Sequence, residues 1–480
     1  MSKMVLRVLS DAEIERLHEK SLEVLQTTGV KITHKEALAR LKRAGAKVEE
    51  HSGRVRFPAP MVKELLESAP SVAMLGDIQG RNWQLGGDAR LYLSLILDPW
   101  ICDYEQGRRR PVLEDVRRHT ILGESLERIG VMQRMSFPVS DIPEPDSYTK
   151  TMEMFLCHMS KHVMALPSSE AECRAWCEVM DVVGEAAGHD PSGPPLLSLG
   201  MAVTSPLQIH GPNIEIMKMA MDRGSVIYPT VCPMAGTTAP YSIAGTALVA
   251  NVESLLPNLV AQVYKPGHPV IYAIGPSVTD MRSGHDLYYR AEKMLFKTVA
   301  CQMGKYYDLS IATEAGGTLT ARPDFQNGAE SMAYLMASLA GGQNLISGLG
   351  SMDNANGMSA EQIVMQCGLV DMAEYLARGI DTSDAKLALG SIDAVGPGGN
   401  FLTDPLTVEL LRSDEFFTSP DLDLTGGYVD GAPGILEKAH EKVEAIVAAY
   451  RPTVPEKVQQ AVRRYCRDRY QQPATAELGW

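Results

Sequence analysis

PVIYAIG (residues 269–275), LSIAT (309–313) and NLISGLG (344–350) are three short runs with the composition of β-strands. Each run ends in polar, glycine-rich sequence, and a helix-like segment then leads to the next run. Short strands that alternate with longer helical segments predict parallel βαβ units. In such folds the functional side chains gather on the loops that follow the strands.

The same alternation extends outward over most of the chain. Eight candidate strands with intervening helices predict a (β/α)8 barrel, although periodicity alone leaves a large open doubly wound sheet as an alternative. The lack of a GxGxxG fingerprint after an early strand disfavours a dinucleotide-binding fold. The predicted strands cover residues 90–98, 130–137, 162–167, 195–203, 226–231, 269–274, 308–313 and 344–349.

Three segments are predicted along the chain. Residues 1–70 form an N-terminal helical segment, which opens with the capping-box pattern of Ser10 and Glu13. Residues 71–400 form the barrel, and residues 401–480 form a C-terminal extension that packs on it. The N-terminal helical layer is suited to packing against the barrel or another subunit, so a homo-oligomer is expected.

Composition excludes several classes of function. The 480 residues are 45% hydrophobic and 22% charged, as in ordinary globular proteins. A net charge of −14 argues against nucleic acid or an anionic membrane as the main partner. Neither a membrane span nor a signal peptide is evident, which predicts a cytoplasmic protein. The eight cysteines form no CxxC pair, so no zinc ribbon or disulfide framework is predicted.

Familiar catalytic motifs are missing from the sequence. There is no GxSxG elbow, phosphate-binding loop or HExxH pattern. His158 and His162 have a spacing that can place two imidazoles on one helix face, but the second falls at the start of a predicted strand. A structural role is favoured for both, and no metal site is predicted.

Polar and aromatic side chains suited to a small ligand follow the predicted strands. Arg282 and Arg322 could bind a ligand carboxylate bidentately, or they could only pair with neighbouring acids. Aromatic rings could enclose a quaternary ammonium, although each ring could equally be packing. The candidate ligand-binding residues are Trp100, Tyr104, Phe137, Tyr228, Tyr241, Arg282, Arg322, Asn354 and Phe401.

Several separated segments resemble the trimethylamine methyltransferase (MttB-like) superfamily in the same order. They include LSDAEIERLHEKSLEVLQTTGVKITHKEALARLKRAGAKV (residues 9–48), PYSIAGTALVANVESLLPNLVAQVYKPGHPVIYAIG (240–275) and TDMRSG (279–284). DFQNGAES (324–331), LAGGQNLISGLG (339–350) and VGPGGNFLTDPLTVELLRSDEFF (395–417) follow. The resemblance implies a (β/α)8 barrel that moves a methyl group from an amine to the cobalt of a corrinoid protein.

One departure from the founding members narrows the expected substrate. Those members carry pyrrolysine in the barrel, whereas this chain shows only standard residues. It thus resembles the non-pyrrolysine branch, which demethylates quaternary amines. Glycine betaine is the leading substrate, ahead of proline betaine, carnitine and γ-butyrobetaine. The barrel wall that corresponds to the missing residue implies the catalytic candidates Glu314, Asp324 and Gln326.

The resemblance also implies how cofactor and partner are divided. The chain lacks a DxHxxG-type cobalamin signature, so the corrinoid is expected on a cognate partner protein, with no cofactor bound by this chain. A barrel lyase or aldolase remains an alternative, although neither Lys161 nor Lys265 is well placed for a Schiff base at a strand end. A non-catalytic betaine-binding protein is a further alternative.

Overall fold

Eight parallel strands form the central sheet. The structure, a computed structural model, describes residues 3–95, 98–134, 137–144, 146–424, 426 and 430–470. Parts of the predicted strands 90–98 and 130–137 and of the C-terminal extension lie outside the described residues. The strands are β1 (Leu91–Leu95), β2 (Ile129–Arg134), β3 (His162–Ala165), β4 (Leu197–Ala202), β5 (Ile227–Thr230), β6 (Tyr272–Ala273), β7 (Ile311–Glu314) and β8 (Leu345–Leu349).

The sheet closes into a barrel. Its hydrogen-bonded order is β5-β4-β3-β2-β1-β8-β7-β6, and all these pairs are parallel. A parallel bridge between Ile227 and Val270 joins the two ends, where the N–H of Ile271 donates to the carbonyl of Ile227 at 3.0 Å. All residues of β1 and β8 are buried, as expected for strands covered on both faces. The barrel prediction is confirmed, and the open-sheet alternative is wrong.

A helix follows each strand and covers the outside of the barrel. Serine or aspartate side chains cap several of these helices, for example Ser169 before the third and Ser359 before the eighth. The helices are α1 (Leu113–Ser125), α2 (Asp146–His158), α3 (Glu170–Ala187), α4 (Gly211–Arg223), α5 (Ile243–Tyr264), α6 (Glu292–Tyr306), α7 (Phe325–Gly341) and α8 (Ala360–Arg378).

Helix α5 is apolar and lies largely in the core. Among the described residues it alone is long and apolar enough, by length and composition, to cross a membrane. Yet 72% of its apolar window is buried in the protein, and it carries the buried polar residues Asn251, Glu253 and Asn258. Core helices of globular proteins pass the same test.

The N-terminal segment combines helices with a small sheet. Helices Asp11–Thr27, Lys35–Arg43 and Ala59–Glu67 alternate with strands Val30–Ile32, Lys47–Glu49 and Arg54–Arg56. The strand Gln208–Ile209, from the loop after β4, pairs with Val30–Ile32 and ties this sheet to the barrel. The capping box of Ser10 and Glu13 is present. The segment is therefore not purely helical, and the boundary at residue 70 stays a prediction.

An antiparallel hairpin, Val72–Gly76 with Asn82–Gly86, lies across the amino-terminal ends of the strands. The hydroxyl of Ser310, just before β7, donates to the carbonyl of Leu85 at 2.9 Å. The carboxyl-terminal ends are surrounded by short strands from the loops. These are Trp100–Asp103, Gly107–Arg109, Met234–Ala235, Ser277–Thr279, Asp286–Leu287, Ser351–Met352 and Gly357–Met358.

Beyond α8 the chain forms three short helices, Asp384–Leu387, Leu389–Val395 and Pro405–Leu410. Two longer helices, Ile435–Ala449 and Glu456–Tyr470, then return to the barrel. The first packs on α8 and α1, and the second packs on α2 and α3. The boundary at residue 400 between barrel and extension stays a prediction.

Candidate active site

A cavity of about 120 Å³ lies inside the carboxyl-terminal end of the barrel. Seven of the eight strands or the residues that directly follow them contribute to its wall, which mixes aliphatic, hydroxyl and amide groups around one carboxylate. This is the end of a (β/α)8 barrel at which active sites are found. The side chains that carry the argument below are Gln133, Tyr228, Cys232, Tyr288, Glu314 and Ser347.

Glu314 is the acidic side chain in the cavity wall. It is the last residue of β7, and its Oε1 accepts a hydrogen bond from the Tyr289 hydroxyl. Gly348 makes room for it, since a Cβ at that position would lie 2.5 Å from Glu314 Cγ. Gly348 also has a φ of +87°, which L-residues with side chains rarely adopt. The close approach of β7 and β8 thus sets where the carboxylate lies.

Tyr288 and Tyr289 form an aromatic pair beside this carboxylate. Their ring centroids are 5.0 Å apart with an interplanar angle of 80°. The Asn354 side-chain oxygen accepts from the N–H of Tyr288 at 2.8 Å and from the N–H of Tyr289 at 3.3 Å. The Tyr334 hydroxyl donates to the Tyr289 carbonyl at 2.6 Å. These contacts fix the loop after β6, so the Tyr288 ring faces the cavity and the Tyr289 hydroxyl reaches Glu314.

A lysine supports the tyrosine pair from outside the cavity wall. Lys293 Nζ lies 3.0 Å from the centroid of the Tyr288 ring, and burial lowers the pKa of Lys293 to about 8. Lys297, one turn further along α6, is fully buried. Burial, reinforced by the charge of Lys293, lowers the pKa of Lys297 well below its usual range. The ammonium groups of Lys293 and Lys297 behind the cavity therefore lose their protons more readily than those of exposed lysines.

A second carboxyl, Asp98, lies near Glu314 without lining the cavity. Burial raises the pKa of Asp98 well above its usual range, and the charge of Glu314 adds to the effect. Burial, followed by the Glu314 charge, likewise raises the pKa of Tyr288 and Tyr289. The hydroxyls of the two tyrosines therefore stay protonated at neutral pH, and burial favours the protonated form of Asp98. Of the two carboxyls, Glu314 is the one that lines the cavity.

Two of the residues predicted from the sequence, Tyr228 and Glu314, line this cavity together. The Tyr228 hydroxyl lies 3.4 Å from Ser347 Oγ on β8, and burial raises its pKa above the usual range. Asn354 does not line the cavity, but its side chain holds the loop that carries Tyr288 and Tyr289. Barrel closure places these three residues together although they are up to 126 positions apart in the chain.

The predicted polar residues after β6 and β7 lie at the surface instead. Asp324 caps the start of α7 by accepting from the N–H of Asn327 at 3.0 Å, and the exposed Gln326 donates to Glu330 at 2.6 Å. Arg282 and Arg322 are exposed on their loops. None of the four contributes to the cavity wall as the structure describes it.

The other predicted aromatic residues have different neighbours. The guanidiniums of Arg108 and Arg110 each lie 3.9 Å from the centroid of the Trp100 ring, and the Tyr104 ring stacks on His440 at 3.9 Å. The remaining three are the half-buried Phe137, which packs against the core, and Tyr241 and Phe401, which are 67% and 43% exposed.

The contacts of His158 and His162 are those of structural residues. Both ring nitrogens of His162 are within hydrogen-bond distance of other groups, at 3.0 Å from the Gly76 carbonyl oxygen and 2.8 Å from Ser198 Oγ. Burial lowers the pKa of His162 to about 4, so the ring is neutral at physiological pH. His158, in the last turn of α2, packs its ring against Tyr450 at 5.6 Å.

The sequence prediction missed several residues of the cavity and its support. Gln133, Cys232 and Ser347 lie on strands or directly after them, and none of the three was among the predicted candidates. Tyr288 and Lys293 lie far from the end of β6, in a loop of eighteen residues and in the helix after it. The adjacent tyrosines in that loop were the available signal.

Comparison with known proteins agrees with this architecture. A crystal structure of the monomethylamine methyltransferase MtmB of Methanosarcina barkeri superimposes with a TM-score of 0.54 and 13% identity, covering 100% of this chain and 90% of that one. At that identity the likeness concerns the fold alone. Fold and cavity define a (β/α)8-barrel protein with its candidate active site at the carboxyl-terminal end.

The chain belongs to the trimethylamine methyltransferase (MTTB) family, whose model matches residues 2–474. It is thus a methyltransferase, and the resemblance inferred from its segments is confirmed. It is 27% identical to the trimethylamine methyltransferase MttB of Desulfitobacterium hafniense (strain DSM 10664 / DCB-2) over 95% of this chain and 92% of that protein. It is also 27% identical to the glycine betaine methyltransferase of D. hafniense (strain Y51), over 93% of each. The proline betaine:corrinoid methyltransferase of Eubacterium limosum is 25% identical over 94% of each.

Proposed function

We propose that this protein moves a methyl group from a quaternary amine to the Co(I) of a cognate corrinoid protein. Glycine betaine is the leading substrate, with proline betaine, carnitine and γ-butyrobetaine as alternatives for the same reaction. Membership of the methyltransferase family and the names of two betaine-specific relatives support the proposal. The cytoplasm is the proposed location.

The observation that carries the proposal is a small cavity with one carboxylate and two tyrosines in its wall. A quaternary ammonium is attracted to aromatic faces and cannot donate a conventional N–H hydrogen bond. Tyr228 and Tyr288 offer such rings, and Glu314 supplies the opposite charge. The volume of about 120 Å³ is close to that of an engineered cavity of roughly 150 Å³ that holds benzene. A trimethylammonium group is smaller than benzene and fits that space.

The chemistry needs little acid–base assistance from the protein. The C–N bond breaks with its electron pair going to nitrogen, and the new Co–C bond takes its electron pair from Co(I). The leaving group is a neutral tertiary amine, so no proton has to be delivered. The protein then has to align nitrogen, methyl carbon and cobalt in line. Of the residues predicted from the sequence, we retain Tyr228 and Glu314 as ligand contacts and Asn354 as a positioning residue.

Charge favours one orientation of a betaine in the cavity. Its ammonium would lie near Glu314, and its own carboxylate would lie away from Glu314 because like charges repel. One N-methyl then has to face the open mouth, from which the corrinoid approaches. The loops after β5 and β6 form part of that mouth and expose the apolar side chains of Tyr241 and Met281. We propose these loops as part of the docking surface for the corrinoid protein, which brings the cofactor.

The test uses chemically reduced cob(I)alamin and a panel of betaines, with trimethylamine as a tertiary-amine control. Loss of the Co(I) absorbance and appearance of methyl-Co(III) with one betaine, but not with trimethylamine, is the expected result. Calorimetric binding of a betaine without turnover, by free cobalamin or by corrinoid protein, would favour the betaine-binding alternative. If no betaine binds or reacts, the lyase or aldolase alternative is reopened.

A further inference from the structure

Lys293 lies against one face of the Tyr288 ring, which lines the cavity. Its Nζ is 3.0 Å from the centroid of that ring and 5.7 Å from the centroid of the Tyr289 ring. The lysine is only 2% exposed, and it does not belong to the cavity wall, whereas Tyr288 does. The ring therefore separates the lysine from the cavity, and the face that Lys293 covers is closed to any other cation.

The Lys293 ammonium finds little to replace the water that it loses on burial. Its hydrogen bonds to the carbonyls of Gly275 and Pro276 are long, at 3.4 and 3.5 Å. The buried Lys161, by contrast, donates to one carbonyl at 2.8 Å and to two others at 2.7 Å. The π face of Tyr288 is thus the closest favourable contact of the Lys293 charge. A buried charge with such weak compensation is easily lost as a proton.

The other titratable groups that face Lys293 come from four elements. They are Cys232 in the loop after β5, Asp286, Tyr288 and Tyr289 in the loop after β6, Glu314 on β7 and Lys297 on α6. Burial outweighs the nearby acidic groups and lowers the pKa of Lys293 to about 8. Burial also raises the pKa of Cys232 to about 11, so the thiol keeps its proton near neutral pH. Lys293 is thus an amine beside the cavity whose charge changes between pH 6.5 and 9.5.

We propose that Lys293 is a positioning residue that controls how strongly the Tyr288 ring attracts the substrate ammonium. The substrate can approach this ring only from the side that Lys293 leaves open, so two cations compete for one π system. A ring that already binds one cation attracts a second less strongly, and the two like charges repel across it. Binding of the betaine therefore displaces the proton from Nζ of Lys293 to the solvent. This inference rests on the proposed function, because it needs a quaternary ammonium in the cavity.

The size of the effect follows from the distance across one ring. Two unit charges ~7 Å apart at an effective dielectric constant of ~20 repel by an amount that corresponds to roughly a 50-fold change in an equilibrium constant, and screening reduces this to about 10-fold. Because only the protonated lysine repels the substrate, the betaine Kd should fall about 8- to 20-fold from pH 6.5 to pH 9.5. Binding should release roughly 0.4–0.7 proton at pH 7 and about 0.1 proton at pH 9.

Calorimetry of glycine betaine binding tests the wild-type protein without any substitution. Titrations at pH 7 in two buffers of different ionisation enthalpy measure the proton release, and titrations from pH 6.5 to 9.5 measure the Kd. Binding without proton release at pH 7, or with one Kd over this range, would overturn the inference and leave the proposed function intact. If glycine betaine and the other betaines bind at no pH, the proposed function fails and the inference fails with it.

Lys293→Met removes the charge and keeps an apolar chain of similar length. Its betaine Kd at pH 7 should be about 5- to 10-fold lower than that of the wild type and should stay constant from pH 6.5 to 9.5. Proton release should be absent, which distinguishes Lys293 from Asp98, since a proton from Asp98 would still be released by this variant.

Lys297→Met is the matched control. It removes a second buried lysine of α6, whose Nζ lies 5.8 Å from the centroid of the Tyr334 ring. Burial already holds the pKa of Lys297 well below its usual range, so the variant should keep the pH dependence of the wild type. A pH-dependent Kd in Lys293→Met, or its loss in Lys297→Met, would overturn the inference.

Discussion

Replacing Glu314 by Gln separates binding from chemistry in the proposed reaction. The substitution keeps the shape of the side chain and keeps an oxygen to accept from Tyr289, so the folded structure should persist. It removes the negative charge from a cavity whose neighbouring carboxyl, Asp98, has a strongly raised pKa. Coulomb's law gives ~4 kcal/mol for two unit charges ~4 Å apart at an effective dielectric constant of ~20.

Part of that attraction is offset when the ion and the carboxylate lose water, and the Tyr289 hydroxyl already stabilises the carboxylate. A net loss of about 1.4–2.8 kcal/mol is therefore expected, which raises the Kd for a betaine about 10- to 100-fold. The positive charge on nitrogen disappears as the C–N bond breaks, so Glu314 stabilises the bound substrate more than the transition state. The kcat at saturating betaine should thus stay constant or rise.

Calorimetry of betaine binding and the cob(I)alamin methylation assay measure the two quantities separately. Glu330→Gln is the matched control, because Glu330 accepts from the N–H of Leu319 at 2.8 Å and lies outside the cavity wall. It should change neither quantity. A Glu314→Gln protein with normal Kd and a kcat reduced more than tenfold would refute the argument, since the carboxylate would then act in the chemical step.

Three further substitutions test single features of the structure. Gly348→Ala places an alanine at a φ of +87° with its Cβ 2.5 Å from Glu314 Cγ. It should lower the free energy of unfolding in denaturant by about 1–2 kcal/mol and raise the betaine Kd as Glu314→Gln does. An unchanged Kd would show that the carboxylate is not displaced. Asp324→Ala removes a helix cap, so we expect a loss of about 1 kcal/mol in thermal unfolding with the same betaine Kd, whereas a weakened Kd would return Asp324 to the site. Burial raises the pKa of Glu253 to about 7 from 4.5, so the folded state keeps a proton that the unfolded chain has released, and stability falls as pH rises from about 4.5 to about 7. Glu253→Gln should remove that pH dependence and gain about 1–3 kcal/mol at pH 8, and parallel stability curves for the two proteins from pH 5 to 8 would contradict this.

The residues in the candidate site differ in how readily they can be predicted from the sequence. Glu314 was accessible because it directly follows an apolar strand, and strand ends gather at one edge of a barrel. Tyr228 was accessible as an aromatic residue on a strand. Tyr288 was not, since a loop of eighteen residues can place its side chains in many positions. Its place is set by Asn354, which comes from the loop after β8.

Other residues predicted for the site lie outside the cavity. Trp100 follows a strand as Glu314 does, but Arg108 and Arg110 pack against its ring. Tyr104 stacks on His440 from the C-terminal helices. Phe401 is 43% exposed in the segment of short helices beyond α8. In each case a distant segment determines the neighbours, and no local pattern encodes it.

By itself, the sequence determined the number and order of the barrel strands and of the helices that follow them, and the resemblance of its segments implied the closed barrel and the family. These follow from local periodicity and from segments that keep their order along the chain. Only the tertiary structure decided which loop side chains share the cavity and which of the two neighbouring carboxyls lines it. The physical reason is that contact, desolvation and charge coupling depend on distances in space, and barrel closure sets these distances between residues far apart in the chain.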